Sequence, residues 1–253
     1  MSEPIRIIRC LTDNYAFLVP DAATGDATLI DAPEAAPILA ELERTGRRLA
    51  RVLITHHHSD HVDGLADILA AHPAPVFGNA ADRARLPALD HAFAPGEALL
   101  DGACIVFDAP GHTLGHVAFH FPALKALFTA DSLMTHGCGR LFEGTPADMF
   151  ATIGRFAELP DATRVYSGHD YAAANLAFAA NFAPEADALA ARQAELPRLA
   201  AGGLPTTGTT LGSEKALNPY LRTHLPEVAA AAGLPGGAPL EVFAEIRRRK
   251  DAA

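Results

Sequence analysis

Cysteine is scarce in this sequence. The 253 residues contain three, Cys10, Cys104 and Cys138, and none belongs to a CxxC pair. A disulfide framework needs an even set of cysteines, and a structural zinc site usually includes cysteine among its four ligands. The scarcity therefore argues against both and fits a reducing compartment, so we expect a cytoplasmic protein.

A long hydrophobic run is also lacking. The most membrane-like uncharged stretch, residues 171–184, contains two asparagines and falls short of the roughly 20 apolar residues that span a bilayer. The amino terminus, MSEPIRIIRC, has neither the apolar core nor the cleavage site of a signal peptide. Since 49% of the residues are hydrophobic and 20% charged, we expect a globular protein that does not enter a membrane.

Positive charge is in deficit, with 20 Lys and Arg against 30 Asp and Glu, a net charge of −10. This balance disfavours binding to nucleic acid, whose phosphates repel an acidic surface. The exception is the basic run RRRK at 247–250. It is either the solvated last turn of a helix, where cations complement the helix dipole, or part of a ligand site.

Short strands and helices alternate along the first two thirds of the chain without a repeat of fixed period, which is typical of a layered α/β fold. Beyond residue 170 the sequence becomes rich in Ala and Leu and predicts mainly helices. We therefore expect a catalytic domain over 1–170 and a helical, substrate-binding domain over 171–253. Strands are predicted over 5–8, 16–19, 27–30, 51–54, 75–78, 103–109, 117–121, 125–129 and 164–166, helices over 34–44, 62–71, 146–158, 171–182, 185–199 and 240–250, and a linker over 202–212.

Histidine and aspartate are concentrated behind the ends of predicted strands. RVLI precedes THHHSDH, CIVFDA precedes PGHTLGH, KALFTA precedes Asp131, and RVY precedes SGHD. Strand ends present loop residues at one edge of a rigid scaffold, where functional sites are commonly built. Because these polar residues follow the ends of four strands, we expect them to meet at one edge of the fold and to form a functional site there.

These segments supply five imidazoles and two carboxylates, a donor set that suits one or two divalent transition metals. Two sites of three protein ligands, with one shared carboxylate and an open position, use all seven, whereas a structural zinc closes its shell with four. We expect two catalytic metal ions, zinc rather than iron or manganese, although His and Asp ligation admits all three. The seven donors are His56, His58, Asp60, His61, His112, Asp131 and His169.

The remaining histidines are expected to bind no metal. Successive side chains of an extended segment point to opposite sides, so His57 should face away from His56 and His58. His116 is expected to play a structural role. Asp63 is expected to lie in the first turn of a helix. Lone histidines are usually hydrogen-bonded or at the surface, which we apply to His72, His91, His120, His136 and His224.

The motifs THHHSDH, PGHTLGH, TAD and SGHDY together resemble the metallo-β-lactamase superfamily, which implies an αβ/βα sandwich with a dinuclear metal site. Within that superfamily the chain looks like glyoxalase II, the hydroxyacylglutathione hydrolases, nearly from end to end. The stretches that carry this closer resemblance are LTDNYAFLV, GCGRLFEG, SGHDYAAANLAFA, NPYLRT and EVFAEIRRRKD.

The resemblance implies a role for each matching residue. His56, His58 and His112 would hold one metal, the set Asp60, His61 and His169 would hold the other, and Asp131 would bridge them, with Asp60 and Asp131 counted as catalytic. The substrate-binding positions of the family fall on Arg140, Phe142, Tyr171, Arg247 and Lys250. Phe142 departs from the Tyr of some members, and Ser59 from a frequent Trp.

The implied reaction is hydrolysis of the thioester of an S-2-hydroxyacylglutathione, such as S-D-lactoylglutathione, to glutathione and a 2-hydroxy acid, a step of methylglyoxal detoxification. A hydroxide bridging two metals would attack the carbonyl, and we expect a monomer with a small-molecule substrate. Four alternatives remain: a glutathione persulfide dioxygenase, another thioesterase of the same fold, a β-lactam hydrolase and a non-enzymatic protein with a saturated metal. The β-lactam hydrolase is disfavoured because such enzymes commonly place Cys at the position of Asp131.

Overall fold

Two facing β-sheets form the centre of the protein. The computed structural model describes residues 5–21 and 24–253, so residues 22–23 of the predicted turn PDAATGD and residues 1–4 of the amino terminus lie outside it. Each sheet has six strands, and helices pack on its outer face. This is the αβ/βα sandwich that the sequence predicts. In the described part of the chain, no helix combines the length and the apolar character needed to cross a membrane.

The first sheet is built by residues before 94, in the order β1-β2-β3-β4-β5-β6. The first three strands run antiparallel and the rest pair in parallel. Apolar residues of α1 and α3, among them Ile38 and Ile68, cover its outer face. The elements are β1 (Arg6–Cys10), β2 (Asn14–Pro20), β3 (Ala27–Ile30), α1 (Ala35–Thr45), β4 (Leu49–Leu53), α2 (Ser59–Val62), α3 (Leu65–Ala71), β5 (Val76–Asn79) and β6 (His91–Phe93).

The second sheet has the order β14-β13-β10-β9-β8-β7, and β11 and β12 form a separate hairpin. Its outer face is covered by α4 and the carboxyl-terminal helices. The elements are β7 (Ala98–Leu99), β8 (Cys104–Asp108), β9 (Val117–Phe121), β10 (Ala126–Ala130), β11 (Leu133–Met134), β12 (Gly137–Cys138), α4 (Pro146–Ala157), β13 (Arg164–Ser167), α5 (Ala172–Ala179), α6 (Ala186–Ala201), β14 (Thr209–Thr210), α7 (Leu211–Leu217), α8 (Pro226–Ala231) and α9 (Pro239–Asp251).

Aromatic side chains fill the space between the sheets. Every residue of β10 is buried, which explains why the sequence reads as a continuous apolar run rather than an alternating one. The Phe128 ring lies 5.2 Å from that of Phe17 and 4.8 Å from that of Tyr166. A second core joins α4 to α9 through residues such as Phe156 and Phe243. The last helix is therefore fixed to the scaffold that carries the strand ends.

Two predictions from the sequence are wrong in detail. Residues 202–212 are not merely a linker, because β14 extends the second sheet beside β13 and the Thr210 side chain accepts a hydrogen bond from the Ser213 amide as α7 begins. The helix predicted over 62–71 begins only at Leu65, as α3, because a separate short helix, α2, ends at Val62. Asp63 ends α2 rather than lying in a first turn, because the Gly64 amide donates to the Ala32 carbonyl and ties the chain down there.

The core between the sheets should dominate stability. Phe128→Ala removes a fully buried ring, so we expect a loss of about 3–5 kcal/mol in the free energy of unfolding. Leu204→Ala, at a side chain 53% exposed, should cost no more than about 0.5 kcal/mol. Chemical denaturation monitored by circular dichroism measures both. Equal losses in the two variants would contradict this account of the core.

Candidate metal centre

All seven predicted donors converge at one edge of the sandwich. β4 leads into the segment His56–His61, β10 ends immediately before Asp131, and β13 leads to His169. Three groups of potential ligand atoms each lie within 4.8 Å of one another: His56, His58 and His112; His56, His61 and Asp131; and Asp60, His61 and His169. The first and third groups are the two sets that the family resemblance implies.

The first set consists of three imidazoles. His112 Nε2 lies 2.9 Å from His58 Nδ1, and the rings of His56 and His112 are 5.0 Å apart and nearly perpendicular. The His56 Nε2 atom is buried and has no hydrogen-bond partner. Three nitrogen atoms therefore point toward one small volume, as the ligands of a single cation would.

The second set contains a carboxylate. Asp60 Oδ2 lies 3.3 Å from His169 Nε2 and 3.7 Å from His61 Nε2. The Asn14 side chain donates hydrogen bonds to the carboxylate and the backbone carbonyl of Asp60, at 3.0 and 2.9 Å. Asn14 therefore fixes the direction in which this carboxylate points.

Asp131 lies between the two sets. Its Oδ2 is 3.4 Å from His112 Nε2 and 3.2 Å from His169 Nε2, one imidazole from each set. Its Oδ1 is 3.4 Å from His61 Nε2 but has no aligned hydrogen bond. A carboxylate with one oxygen near both sets is placed to be shared by two cations.

Each imidazole except His58 is held from behind through its other nitrogen. Nδ1 of His61 contacts the Asp31 carboxylate at 2.9 Å, and Nδ1 of His169 contacts Asp13 at 2.8 Å. His56 and His112 use the Thr55 hydroxyl and the Arg140 carbonyl in the same way. Such partners fix ring orientation and leave Nε2 free to coordinate a metal.

Sequence reasoning missed Asp13, Asn14 and Asp31. Asp31 directly follows β3, so it shows the same pattern of a polar residue at a strand end that located the seven donors. Asp13 and Asn14 lie where the chain turns from β1 into β2. Their position beside the site depends on β1 and β2 pairing and on the Tyr15 amide bonding to the Gly168 carbonyl, which no local pattern reveals.

The two remaining histidines of the motifs do not join the donor groups. His57 faces away, as predicted, and its Nδ1 lies 3.0 Å from Asp82 Oδ2. The His116 ring stacks on His56 with centroids 4.8 Å apart. Its Nε2 accepts a hydrogen bond from the Asp131 amide at 3.3 Å. His116 therefore supports one donor from each of two segments.

Burial and charge separate the two sets electrostatically. Burial lowers the pKa values of His56, His58 and His112, so the first set is neutral at pH 7. Burial alone would also lower the pKa values of His61 and His169, yet the facing carboxylate of Asp131 and its neighbours raise them to about 10 and about 12. The second set therefore holds protons when no cation is bound.

The donor set fits divalent cations. Three of its atoms, His56 Nε2, His61 Nε2 and Asp131 Oδ1, are buried without a hydrogen-bond partner. Leaving such polar atoms unpaired is costly, and a coordinated cation removes that cost. Neighbouring glycines make the close approach possible, because a Cβ atom at Gly139 would lie 1.9 Å from the Asp131 carbonyl oxygen and one at Gly168 would lie 2.5 Å from Asp131 Oδ1.

A cavity of about 530 Å³ opens above this cluster. His58, Asp60, His112, Asp131 and His169 lie at its floor. Its walls come from both the segment after β12 and the carboxyl-terminal helices, and include all five residues that the resemblance implies for substrate binding. The wall residues are Met134, Cys138, Gly139, Arg140, Phe142, Tyr171, Asn175, Arg247, Lys250 and Ala253.

The aromatic wall residues touch the donor histidines. Tyr171 stacks on His169 with the rings 4.9 Å apart and 7° from parallel. Phe142 is 61% exposed and meets the rings of His58 and His112 edge-on, at 5.5 and 5.3 Å. An exposed phenyl ring therefore lies against two of the donors at the edge of the cavity.

The basic run of α9 divides between two faces of the helix. Arg248 and Arg249 pair with Glu245, at 2.7 and 2.8 Å. Arg247 is buried and donates to the Cys138 carbonyl at 2.8 Å. Lys250 lies over the Phe178 ring at 5.0 Å. Arg247 and Lys250 line the cavity, whereas Arg248 is exposed and Arg249 donates to the Ala231 and Ala232 carbonyls at the end of α8.

Comparisons with known proteins agree with this arrangement. Residues 13–169 match the family model of the metallo-beta-lactamase superfamily, and residues 170–253 match the model described as hydroxyacylglutathione hydrolase C-terminus. A hydroxyacylglutathione hydrolase of Fuscovulum blasticum is 51% identical over 253 residues, which are 99% of each chain.

Solved structures share the fold. ETHE1 from Myxococcus xanthus has a TM-score of 0.69 at 23% identity, covering 98% of this chain and 92% of that chain. TTHA1623 in a di-iron-bound form has a TM-score of 0.61 at 29% identity, covering 82% and 95%. With half of its residues identical to a full-length relative and both halves matched by family models, the chain belongs to the hydroxyacylglutathione hydrolases of the metallo-β-lactamase superfamily.

Proposed function

We propose that the protein hydrolyses the thioester of S-2-hydroxyacylglutathione, such as S-D-lactoylglutathione, to glutathione and a 2-hydroxy acid. The observation that carries this proposal is the pair of donor sets joined by Asp131 at the floor of a cavity with a cationic wall. The name of the 51% identical relative supports the same substrate class.

We assign one divalent cation to His56, His58 and His112 and a second to Asp60, His61 and His169, with Asp131 shared. Two cations held there would supply an activated water and polarise the thioester carbonyl. The chain's own contribution is orientation, since Asn14 aims Asp60 and the partners behind the imidazoles fix their rings. Zinc is the metal we propose, with iron or manganese as alternatives, because His and Asp donors accept all three.

Thioester hydrolysis needs no strong general acid from the protein. The leaving group is a thiolate whose conjugate acid has a pKa near ~8.5, so it departs with little help from a general acid. Glutathione carries two carboxylates and one ammonium group, and Arg140, Arg247 and Lys250 give the cavity wall three cations to receive it. Residues 1–170 would thus perform the chemistry and contribute Arg140 to binding, while residues 171–253 would supply most of the contacts to the tripeptide.

The compartment follows from the same reasoning. All three cysteines are buried and free, and a substrate built on reduced glutathione exists mainly where thiols are kept reduced. We therefore propose a cytoplasmic location.

The substrate is tested by comparing thioesters. Metal-loaded protein should hydrolyse S-D-lactoylglutathione with a kcat/KM at least about tenfold above that for an acyl-CoA or an N-acetylcysteamine thioester, because only the first places carboxylates against the cationic wall. Oxygen uptake with glutathione persulfide, or hydrolysis of nitrocefin, without thioesterase activity would replace the proposal with a dioxygenase or a β-lactamase. Bound metal with none of these activities would indicate a non-enzymatic protein.

The ligand assignment predicts opposite outcomes for neighbouring histidines. His58→Ala should lose the first cation and most hydrolysis, because the variant has no replacement for that nitrogen. His57→Ala should retain both cations, since its ring bonds to Asp82 instead. Metal analysis after gel filtration distinguishes the two, and equal metal loss in both variants would contradict the assignment.

The two cations should also differ in their dependence on pH. Because His61 and His169 have pKa values of about 10 and about 12, both hold protons throughout pH 6–8, and a cation must displace them. The affinity of this set should therefore fall by roughly tenfold or more per pH unit as pH decreases. The first set, whose pKa values are lowered, should change far less. Titration against a chelating dye at pH 6, 7 and 8 measures both, and identical slopes would refute the distinction.

A further inference from the structure

A carboxylate lies between two of the cationic residues that line the cavity. Arg247 Nη2 donates to Asp251 Oδ1 at 2.7 Å, and Arg140 Nε lies 3.5 Å from the same oxygen. Asp251 itself does not line the cavity. It is half-exposed, with a side chain 38% accessible.

The two arginines need support to different degrees. Arg247 is already held by the carbonyls of Cys138 and Gly139, at 2.8 and 3.4 Å, and is 5% exposed. Arg140 has a side chain 59% accessible, and Asp251 is its one ion-pair partner among the described residues. A long exposed side chain loses much rotamer freedom when it grips a ligand. A partner that holds it near its bound position reduces that loss.

The position of Asp251 argues against a role in helix stability. It is the last residue of α9, where the helix dipole disfavours a negative charge. The i,i+4 pair with Arg247 offsets this only partly, because partly exposed ion pairs contribute little. A carboxylate at this point is explained better by what it does to the two guanidinium groups in front of it.

We propose that Asp251 is a positioning residue that links α9 to the segment after β12 by holding Arg140 and Arg247 toward the tripeptide of a glutathione thioester. The inference rests on the proposed function for its substrate class. It assigns a part in substrate recognition to a residue that does not contact the substrate.

The proposal predicts an effect opposite to that of charge alone. The substrate is a net anion, so removing a negative charge nearby should lower KM if only long-range electrostatics mattered. If Asp251 orients the arginines, Asp251→Asn should instead raise KM for S-D-lactoylglutathione by about fivefold, with little change in kcat and unchanged metal content. The thermal midpoint should stay the same or rise, because the helix end loses an unfavourable charge.

Glu245→Gln is the matched control. Glu245 lies on the same helix and also bridges two arginines, Arg248 and Arg249, but none of these three residues lines the cavity. This variant removes the same charge without touching the cavity, so its KM should stay within about twofold or fall slightly. The N-acetylcysteamine thioester, which lacks the tripeptide, should not distinguish Asp251→Asn from the unaltered protein.

A double-mutant cycle with Arg140→Ala tests the linkage directly. If Asp251 acts partly through Arg140, the rise in KM caused by Asp251→Asn should be smaller in the Arg140→Ala background than in the unaltered protein. If the two substitutions instead raise KM by factors that simply multiply in the double variant, Asp251 does not act through Arg140. A KM for Asp251→Asn that is unchanged or lowered would overturn the proposal altogether.

Binding of S-hexylglutathione, a thioether that cannot be hydrolysed, separates this inference from the proposed reaction. Calorimetry with metal-loaded protein should give weaker binding for Asp251→Asn and unchanged binding for Glu245→Gln. If the unaltered protein binds this ligand but hydrolyses no thioester, the proposed reaction is wrong, and weaker binding by Asp251→Asn alone would still support the positioning role. If it binds no glutathione conjugate, both are wrong.

Discussion

The rest of the site depends on one buried carboxylate. Asp131 is 4% exposed, and a charge in that position is costly unless opposite charges face it. His61 and His169 face it at 3.4 and 3.2 Å, and they hold its pKa well below the usual range despite burial. The site thus balances its charge with protons when no metal is bound, and the same geometry presents the carboxylate to two cations. A metal ion that binds at this buried position is therefore expected to displace the protons of these imidazoles.

The fold supplies this geometry by bringing strand ends together. Asp131 follows β10, in the middle of the second sheet, while the His56–His61 segment follows β4 of the first sheet. The aromatic core around Phe128 holds the sheets together a few residues away, so the distance between the donor sets is set by core packing. The carboxyl-terminal helices add the cationic wall, and α9 is fixed in turn by its packing on α4. Chemistry and recognition are therefore built on one scaffold.

The sequence locates the seven residues that the structure brings together, because each is marked by a local pattern, a polar residue behind an apolar strand. All seven predicted residues lie in the three groups that the structure brings together, and His57 faces away as the alternation of an extended segment requires. Asp13 and Asn14 escaped prediction because their role arises from pairing between distant segments. The resemblance marked Arg247 and Lys250, but the local pattern alone left the basic run 247–250 ambiguous. Helix periodicity does not reveal which face is covered, and only the packing of α9 separates Arg247 from Arg248.

The central claim is that two cations are held by the two donor sets and joined by Asp131. Anomalous X-ray diffraction from crystals of zinc-loaded protein, recorded on both sides of the zinc absorption edge, tests it most directly. The account predicts two peaks, one within ~2.3 Å of nitrogen atoms of His56, His58 and His112 and the other equally close to Asp60, His61 and His169, with Asp131 oxygen near both. A single peak enclosed by four protein ligands, or two peaks without Asp131 between them, would contradict it.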